Sequence, residues 1–392
     1  MTNLKFYCLT SIRHFAITVS LIAVASMFTA AASAQSSAEI RDQYPQLADL
    51  FNAFDVTQAN AFERIAEINA NPATADARNS LQMNLQMMAN MSMSEMMAAN
   101  GHNGILDPGM NMGGPYQELE VQARVELLEQ MRGNHSDADA TAAYENNAAI
   151  NRHTSEVLKR GRGFEVNLFA IYLDDAITDK QSAVADAITE YLSDDRHSVA
   201  TVPKDSTYIV DHPQATGFKT AFPLLSGFLW TQQWLQLAAL EAVILETLDS
   251  QFSNGVDTAL ERFWNKVGSS GGMTMFPAPN ELPMAPAIAP DLYSQSAEAA
   301  IIIDNLNVLE TVITDILAYP NVENRDELVD GVIAQFTSKD DNNTAPMDYL
   351  LFALRGGIYN QGGPAVGELM QSERNRSRSA MNMQHSMIMS TQ

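Results

Sequence analysis

Apolar residues recur at spacings of three and four through most of the chain after residue 35, and strict alternation is rare. This spacing places apolar side chains on one face of an α-helix, which turns once every 3.6 residues. The pattern predicts an all-α fold, an irregular multi-helix array. Helices are expected at residues 46–69, 74–100, 116–132, 137–160, 164–192 (one long or two shorter), 222–252, 255–267, 293–319, 325–336 and 347–354.

Long segments rich in glycine and proline separate these helices, at residues 101–115, 268–290 and 356–363. Two finer expectations concern helix ends: Gly161-Arg162-Gly163 is expected to stop one helix, and Pro364 to open a last one that reaches toward Met389. The polar stretch 193–217 is the first candidate domain boundary. The chain length allows one large domain or two regions, 35–200 and 201–392.

The amino terminus has the three parts of an export signal. Lys5 and Arg13 are positive, residues 15–30 are uncharged and largely apolar, and Ala32-Ser33-Ala34 fits a cleavage site before Gln35. A membrane anchor fits less well, because the apolar run is shorter than the roughly 20 residues of a span. Residues 1–34 are therefore predicted to be a cleaved signal peptide of a periplasmic or secreted protein.

The charge and the cysteine content exclude several kinds of metal site and binding partner. The only cysteine is Cys8, so the predicted mature chain cannot form disulfides, thiolate metal sites or iron–sulfur clusters. The formal net charge of −24 repels nucleic acid and attracts cations or basic partners, although solubility alone also accounts for it. Every long apolar segment after residue 35 carries acidic residues, so no membrane span is predicted.

No set of catalytic residues is evident. Residues 268–272 match the letters of the nucleophile elbow G-x-S-x-G, but that motif needs a preceding strand and a following helix. The few histidines do not form a recognised zinc or di-iron motif. These observations favour a protein that is not an enzyme, and a hydrolase using residues 268–290 is the least supported alternative. The oligomeric state stays open.

Methionine is the one residue type with an unusual distribution. Nineteen methionines follow residue 34, seven of them lie between Met83 and Met97, and Met-x-Met occurs five times. Thioether sulfur is a soft, uncharged ligand that suits Cu(I) and needs no deprotonation. The predicted metal ligands are Met83, Met87, Met88, Met91, Met93, Met96, Met97, His102, Met110, Met112, Met381, Met383, His385, Met387 and Met389.

These segments resemble the methionine-rich stretches of bacterial periplasmic copper-handling proteins. The resulting hypothesis is a non-catalytic protein that binds Cu(I) in copper tolerance or delivery. Three alternatives stay open: a core-packed helix face, an adaptable surface by which a helical scaffold or adaptor contacts a protein partner, and a sacrificial sink for oxidants.

Overall fold

The structure is a computed structural model, and it describes residues 38–90, 114–204, 212–268, 278–355, 358 and 360–367, without the side chains of residues 88–90. Within these ranges the chain forms helices and no β-strand; an isolated bridge joins Lys204 and Asn343. The predicted all-α, irregular multi-helix array is therefore confirmed for the described residues. The predicted signal peptide, 1–34, lies outside them.

The helices follow one another with short connections in most places. The first part contains α1 (residues 38–43), α2 (Pro45–Ala70), α3 (Ala75–Asn90), α4 (Gln117–Met131), α5 (Asp137–Glu145), α6 (Arg152–Leu173) and α7 (Lys180–Tyr191). The second part contains α8 (Gly217–Ala221), α9 (Pro223–Leu248), α10 (Gly255–Gly268), α11 (Ala285–Ile288), α12 (Pro290–Gln295), α13 (Ala297–Ala318), α14 (Arg325–Thr337) and α15 (Pro346–Ala353).

Two helices, α9 and α13, form the centre of the molecule. Both are apolar around most of their circumference, and such helices are stable only when other helices surround them. α9 packs against α4, α6, α10 and α12, while α13 packs against α2, α8, α12 and α14. Buried apolar side chains from residues 38–200 and 212–367 belong to one contiguous cluster.

The predicted turn at Gly161-Arg162-Gly163 is wrong, because both glycines lie inside α6. The chain breaks earlier, between α5 and α6, where the Asn151 side chain caps the start of α6 by accepting a hydrogen bond from the Thr154 N–H. A Cβ atom at position 161 would lie 2.5 Å from Leu306 of α13. The glycine therefore permits close packing of two helices and does not end one.

Other expectations about helix ends were right in part. The alternative of two helices within 164–192 is correct, since α6 ends at Leu173 and Asp179 caps the start of α7, although α6 begins earlier, at Arg152. The predicted helix 293–319 divides at Ser296, whose hydroxyl caps α13. No helix begins at Pro364, because Pro364 has no regular structure and residues 365–367 are bends that end at Gly367 with a φ of 74°. The part of the predicted helix 74–100 that follows Asn90 lies outside the described residues.

The structure also describes part of the proline-rich segment and the apolar helices. The described end of the proline-rich segment 268–290 contains the short helix α11, and the nucleophile-elbow letters after Gly268 lie outside the described residues. Among the helices that the structure describes, none combines the length and the apolarity that crossing a bilayer requires.

Candidate functional site

On helix α3 the leucine side chains are buried, whereas the described methionine side chains are exposed. Leu81 and Leu85 face the core and are 2% and 4% exposed, whereas Met83 and Met87 are 61% and 38% exposed. Both pairs have a spacing of four residues, so each pair shares one side of the helix. Packing in the core therefore does not account for Met83 and Met87, whose thioether groups are accessible from solvent.

Elsewhere in the chain, single methionine side chains are buried in the core. Met131 at the end of α4 and Met284 before α11 are 2% and 3% exposed, and each lies apart from the methionine-rich segments. Met347 on α15 is exposed. Among the described side chains, the buried methionines are thus single residues, and those that belong to a cluster are at the surface.

Most of the predicted ligands lie outside the described residues. Met88 lies in α3, but its side chain is not described. Of the predicted ligands, only Met83 and Met87 have described side chains. Within the described ranges, no group of three or more histidine, aspartate or glutamate side chains could hold a metal ion. The predicted ligands outside the described residues are Met91, Met93, Met96, Met97, His102, Met110, Met112, Met381, Met383, His385, Met387 and Met389.

Buried carboxylates in this protein fall into two groups, and the first group caps helices. The backbone N–H groups at a helix start have no partner within the helix and carry partial positive charge. The starts of α8, α9, α11 and α12 have no side-chain cap of their own, and each receives a buried carboxylate from elsewhere in the chain. The four carboxylates belong to Asp315, Glu120, Asp304 and Glu241.

Glu120 shows the geometry most completely. It lies on α4, is fully buried, and its Oε1 accepts hydrogen bonds from the N–H groups of Leu224 (2.6 Å) and Leu225 (3.0 Å) at the start of α9. Burial raises the pKa of Glu120 to about 7, while these N–H groups favour the charged form. The carboxylate thus connects α4 to the central helix.

We expect Glu120→Ala to lower the free energy of unfolding by about 2 kcal/mol, because buried N–H groups of α9 lose their acceptor. Glu120→Gln keeps an acceptor oxygen and should retain most of the stability. Glu118→Ala, at an exposed position of the same helix, is the matched control and should change stability by less than about 0.5 kcal/mol. Urea unfolding measures all three, and equal effects of the two alanine variants would refute the capping role.

The second group of carboxylates surrounds Arg162 of α6 and caps no helix. Arg162 Nε lies 3.0 Å from Asp55 Oδ2 of α2, and its Nη1 lies 3.8 Å from Glu165 Oε2. The guanidinium also lies 4.5 Å from the centre of the Phe51 ring. Glu310 of α13 is close enough to interact electrostatically with Asp55 and Arg162. We call Asp55, Arg162, Glu165 and Glu310 the central carboxylate cluster.

The charges in this cluster do not balance, since three carboxyl groups share one guanidinium. Amide side chains of α9 supply further partners: Gln236 donates to Glu165 (2.9 Å) and Gln233 donates to Glu310 (2.7 Å). Burial raises the pKa of Glu165 to about 8 and that of Glu310 to about 7, and it also raises the pKa of Asp55. At neutral pH the cluster therefore retains a proton on Glu165.

Neither of two surface clefts has the features of an active site. A crevice beside Arg162 has a volume of about 10 Å³, which is too small for an organic substrate. A wider cleft of about 210 Å³ lies between α2 and α4. Its cation, Arg64, is held by Glu67 (3.0 Å) and Glu126 (2.9 Å). The described residues thus offer ion pairs at these clefts and no nucleophile beside a base.

Comparison of the chain with known protein families, with curated proteins and with solved structures finds no match. No relative therefore assigns a role to the methionines of α3 or to Arg162. The central carboxylate cluster was not predicted from the sequence, because Arg162 was expected to lie in a turn. A clue was present in α2, where Asp55 follows the core residues Phe51 and Phe54 within an otherwise apolar stripe.

Proposed function

We propose that this chain is an exported, non-enzymatic protein that binds Cu(I) through thioether groups, in copper tolerance or delivery. The exposure of Met83 and Met87, beside the buried Leu81 and Leu85 of the same helix, is the observation that most supports it. A helix that needed only apolar contacts would bury its methionines as it buries its leucines. Exposed thioethers remain available to a ligand.

The chemistry of the methionine-rich segments agrees with this proposal. Met83 and Met87 lie one helical turn apart, and further thioethers follow from Met88 to Met97, so several sulfur donors are close along the chain. Soft sulfur donors select Cu(I) over hard cations. The acidic chain attracts cations, and the absence of cysteine after residue 34 removes competing thiolates that oxidise outside the cytoplasm.

A competition titration against a Cu(I) chelator tests the proposal. We expect the purified mature protein to bind Cu(I) under reducing conditions and to bind Zn(II) weakly, because Zn(II) prefers nitrogen and thiolate ligands. Replacing Met83, Met87, Met88, Met91, Met93, Met96, Met97, Met110 and Met112 by leucine, together with Met381, Met383, Met387 and Met389, removes the predicted sulfur donors at nearly constant volume. Cu(I) affinity should then fall at least about tenfold while the helical circular dichroism spectrum is unchanged.

The matched control replaces the buried Met131 and Met284 by leucine. This variant changes the same residue type in the core, and its Cu(I) affinity should equal that of the wild type. Unchanged affinity in the variant that lacks the clustered methionines would refute thioether binding.

A second candidate is a helical scaffold or adaptor that contacts a protein partner through its methionine-rich surfaces. The exposure of Met83 and Met87 favours it as well, because methionine adapts to different apolar partners. The leucine variants separate the two functions. Leucine retains the apolar contact area, so an adaptor keeps its partner and a copper protein loses its metal.

A further inference from the structure

The helix α15 exposes an apolar stripe that no described residue covers. Met347, Leu351 and Leu354 are 65%, 64% and 56% exposed, and their spacing of four and three residues places them on one side of the helix. The opposite side, with Tyr349 and Ala353, is buried. Three large, adjacent apolar side chains in solvent mark a contact surface. We call these three residues the α15 stripe.

The chain returns to α15 shortly after leaving it. The Gln361 side chain donates a hydrogen bond to the Ala353 carbonyl at the end of α15 (2.6 Å) and accepts one from the Met284 N–H (2.8 Å). Gln361 is itself buried. These bonds hold residue 361 beside the carboxyl end of the helix that carries the α15 stripe.

Basic and aromatic side chains of α9 and α10 hold the next residues. Lys266 is fully buried and donates a hydrogen bond to the Gly362 carbonyl, and its Nζ lies 4.6 Å from the centre of the Trp234 ring. Trp234 Nε1 donates to the Gly363 carbonyl (2.9 Å). Gly362 has a φ of 113°, and a Cβ atom there would lie 2.6 Å from Trp234, so only glycine fits.

Arg262 of α10 completes this attachment by donating to the carbonyls of Pro364 (2.8 Å) and Gly367. Residues 368–392 therefore start from a fixed point beside α10, six residues after the contact of Gln361 with the end of α15. An extended chain spans about 3.3 Å per residue, so this segment can reach roughly 80 Å. Its length exceeds what is needed to return to the α15 stripe.

The charges of the two surfaces are complementary. After Glu373 the segment has no acidic residue, and Arg374, Arg376 and Arg378 precede four methionines. Along residues 339–355, Asp340, Asp341 and Asp348 are exposed acidic residues, whereas the basic residues are the exposed Lys339 and the half-buried Arg355, so acidic residues predominate. A basic, methionine-rich segment suits an apolar stripe with acidic neighbours.

We propose that residues 374–392 of the same chain dock on the α15 stripe, with their methionines on Met347, Leu351 and Leu354 and their arginines beside the aspartates. These four methionines are also among the proposed Cu(I) ligands, so the docking is proposed for the metal-free chain. Attachment of the segment at residues 360–367 makes the contact intramolecular, and this raises the effective concentration of the segment at the stripe to the millimolar range. Other occupants, such as a second copy of the chain, lack this advantage.

Disulfide trapping tests the docking, because the mature chain has no cysteine of its own. Met383→Cys is combined with Leu351→Cys in one full-length mature protein and with Val125→Cys, an exposed apolar position on α4, in the control. Without copper and under mild oxidation, we expect the intramolecular disulfide to form at least about tenfold faster with position 351 than with position 125. High salt should reduce the difference.

Each other result would overturn the proposal. Equal rates for the two pairs would show that the segment does not prefer the α15 stripe, and predominant dimers linked at position 351 would show that a second copy occupies it. Amide hydrogen exchange gives a second measurement on chains without cysteine. Truncation after Gly367 should increase exchange in α15 and leave α4 unchanged, and unchanged exchange in α15 would contradict docking.

Discussion

We expect Arg162→Met to lower the free energy of unfolding by about 3–5 kcal/mol, the largest effect of any single substitution considered for this protein. Arg162 is the cation that faces Asp55 (3.0 Å) and Glu165 (3.8 Å) in the central carboxylate cluster. Methionine keeps much of the apolar contact with Phe51 but leaves the buried carboxyl groups without a countercharge. Urea unfolding at pH 7 measures the loss.

Two further variants test whether this loss of stability comes from the missing positive charge. Arg152→Met, at an exposed position on the same helix, should change stability by less than about 0.5 kcal/mol. Adding Asp55→Asn to Arg162→Met removes one uncompensated charge and should recover part of the stability. The role of the cluster would be refuted if Arg162→Met cost less than about 1 kcal/mol, or if the double variant were less stable than the single one.

The second large effect is on pH dependence: the protein should be less stable at pH 7 than at pH 5, by about 2 kcal/mol or more. Burial raises the pKa of Glu165 from 4.5 to about 8, so the folded protein retains a proton that the unfolded chain releases. The contribution of Glu165 to stability is therefore fully present below pH 4.5 and is lost as the pH rises toward 8. The raised pKa values of Glu241 and Asp304 act in the same direction.

The lowered pKa of Lys266 has the opposite effect on stability, but at a higher pH than that of Glu165. Burial lowers the pKa of Lys266 to about 7, so its contribution to stability increases with pH only between about 7 and 10.5. Glu165→Gln, which cannot ionise, should reduce the slope between pH 5 and 7 by up to about 1.4 kcal/mol per pH unit. Glu190→Gln, at an exposed site, should not. A stability that increases from pH 5 to pH 7 would contradict the raised pKa values.

Helix positions in this protein follow from apolar spacing, because burial of one helix side is the dominant local requirement. The predicted helices at 46–69, 116–132, 255–267 and 325–336 agree with α2, α4, α10 and α14 to within about one residue at each end. Gly161 was misread because its role depends on Leu306, which is 145 residues away in the chain. Local patterns cannot show which distant helix approaches a glycine.

The acidic residues illustrate the same limit. Glu241, Asp304 and Asp315 are acidic residues within apolar segments of the sequence, yet each of them, like Glu120, is buried and caps the start of another helix. The helices that they cap begin with residues that offer no side-chain oxygen to their own N–H groups, such as Phe222, Met284 and Ala289. The missing local caps left these N–H groups open to a carboxylate from elsewhere in the chain, which the local sequence does not identify.

X-ray absorption at the copper edge tests the central claim, thioether binding of Cu(I), most directly, because scattering distinguishes sulfur from nitrogen and oxygen ligands. The mature protein, loaded with less than one equivalent of Cu(I) under reducing conditions, is predicted to show a copper ion surrounded by sulfur, with or without one imidazole nitrogen. The leucine variant that lacks the clustered methionines should lose the sulfur shell. Copper bound only by nitrogen and oxygen in the wild-type protein, or the same sulfur shell in that variant, would contradict the proposed function.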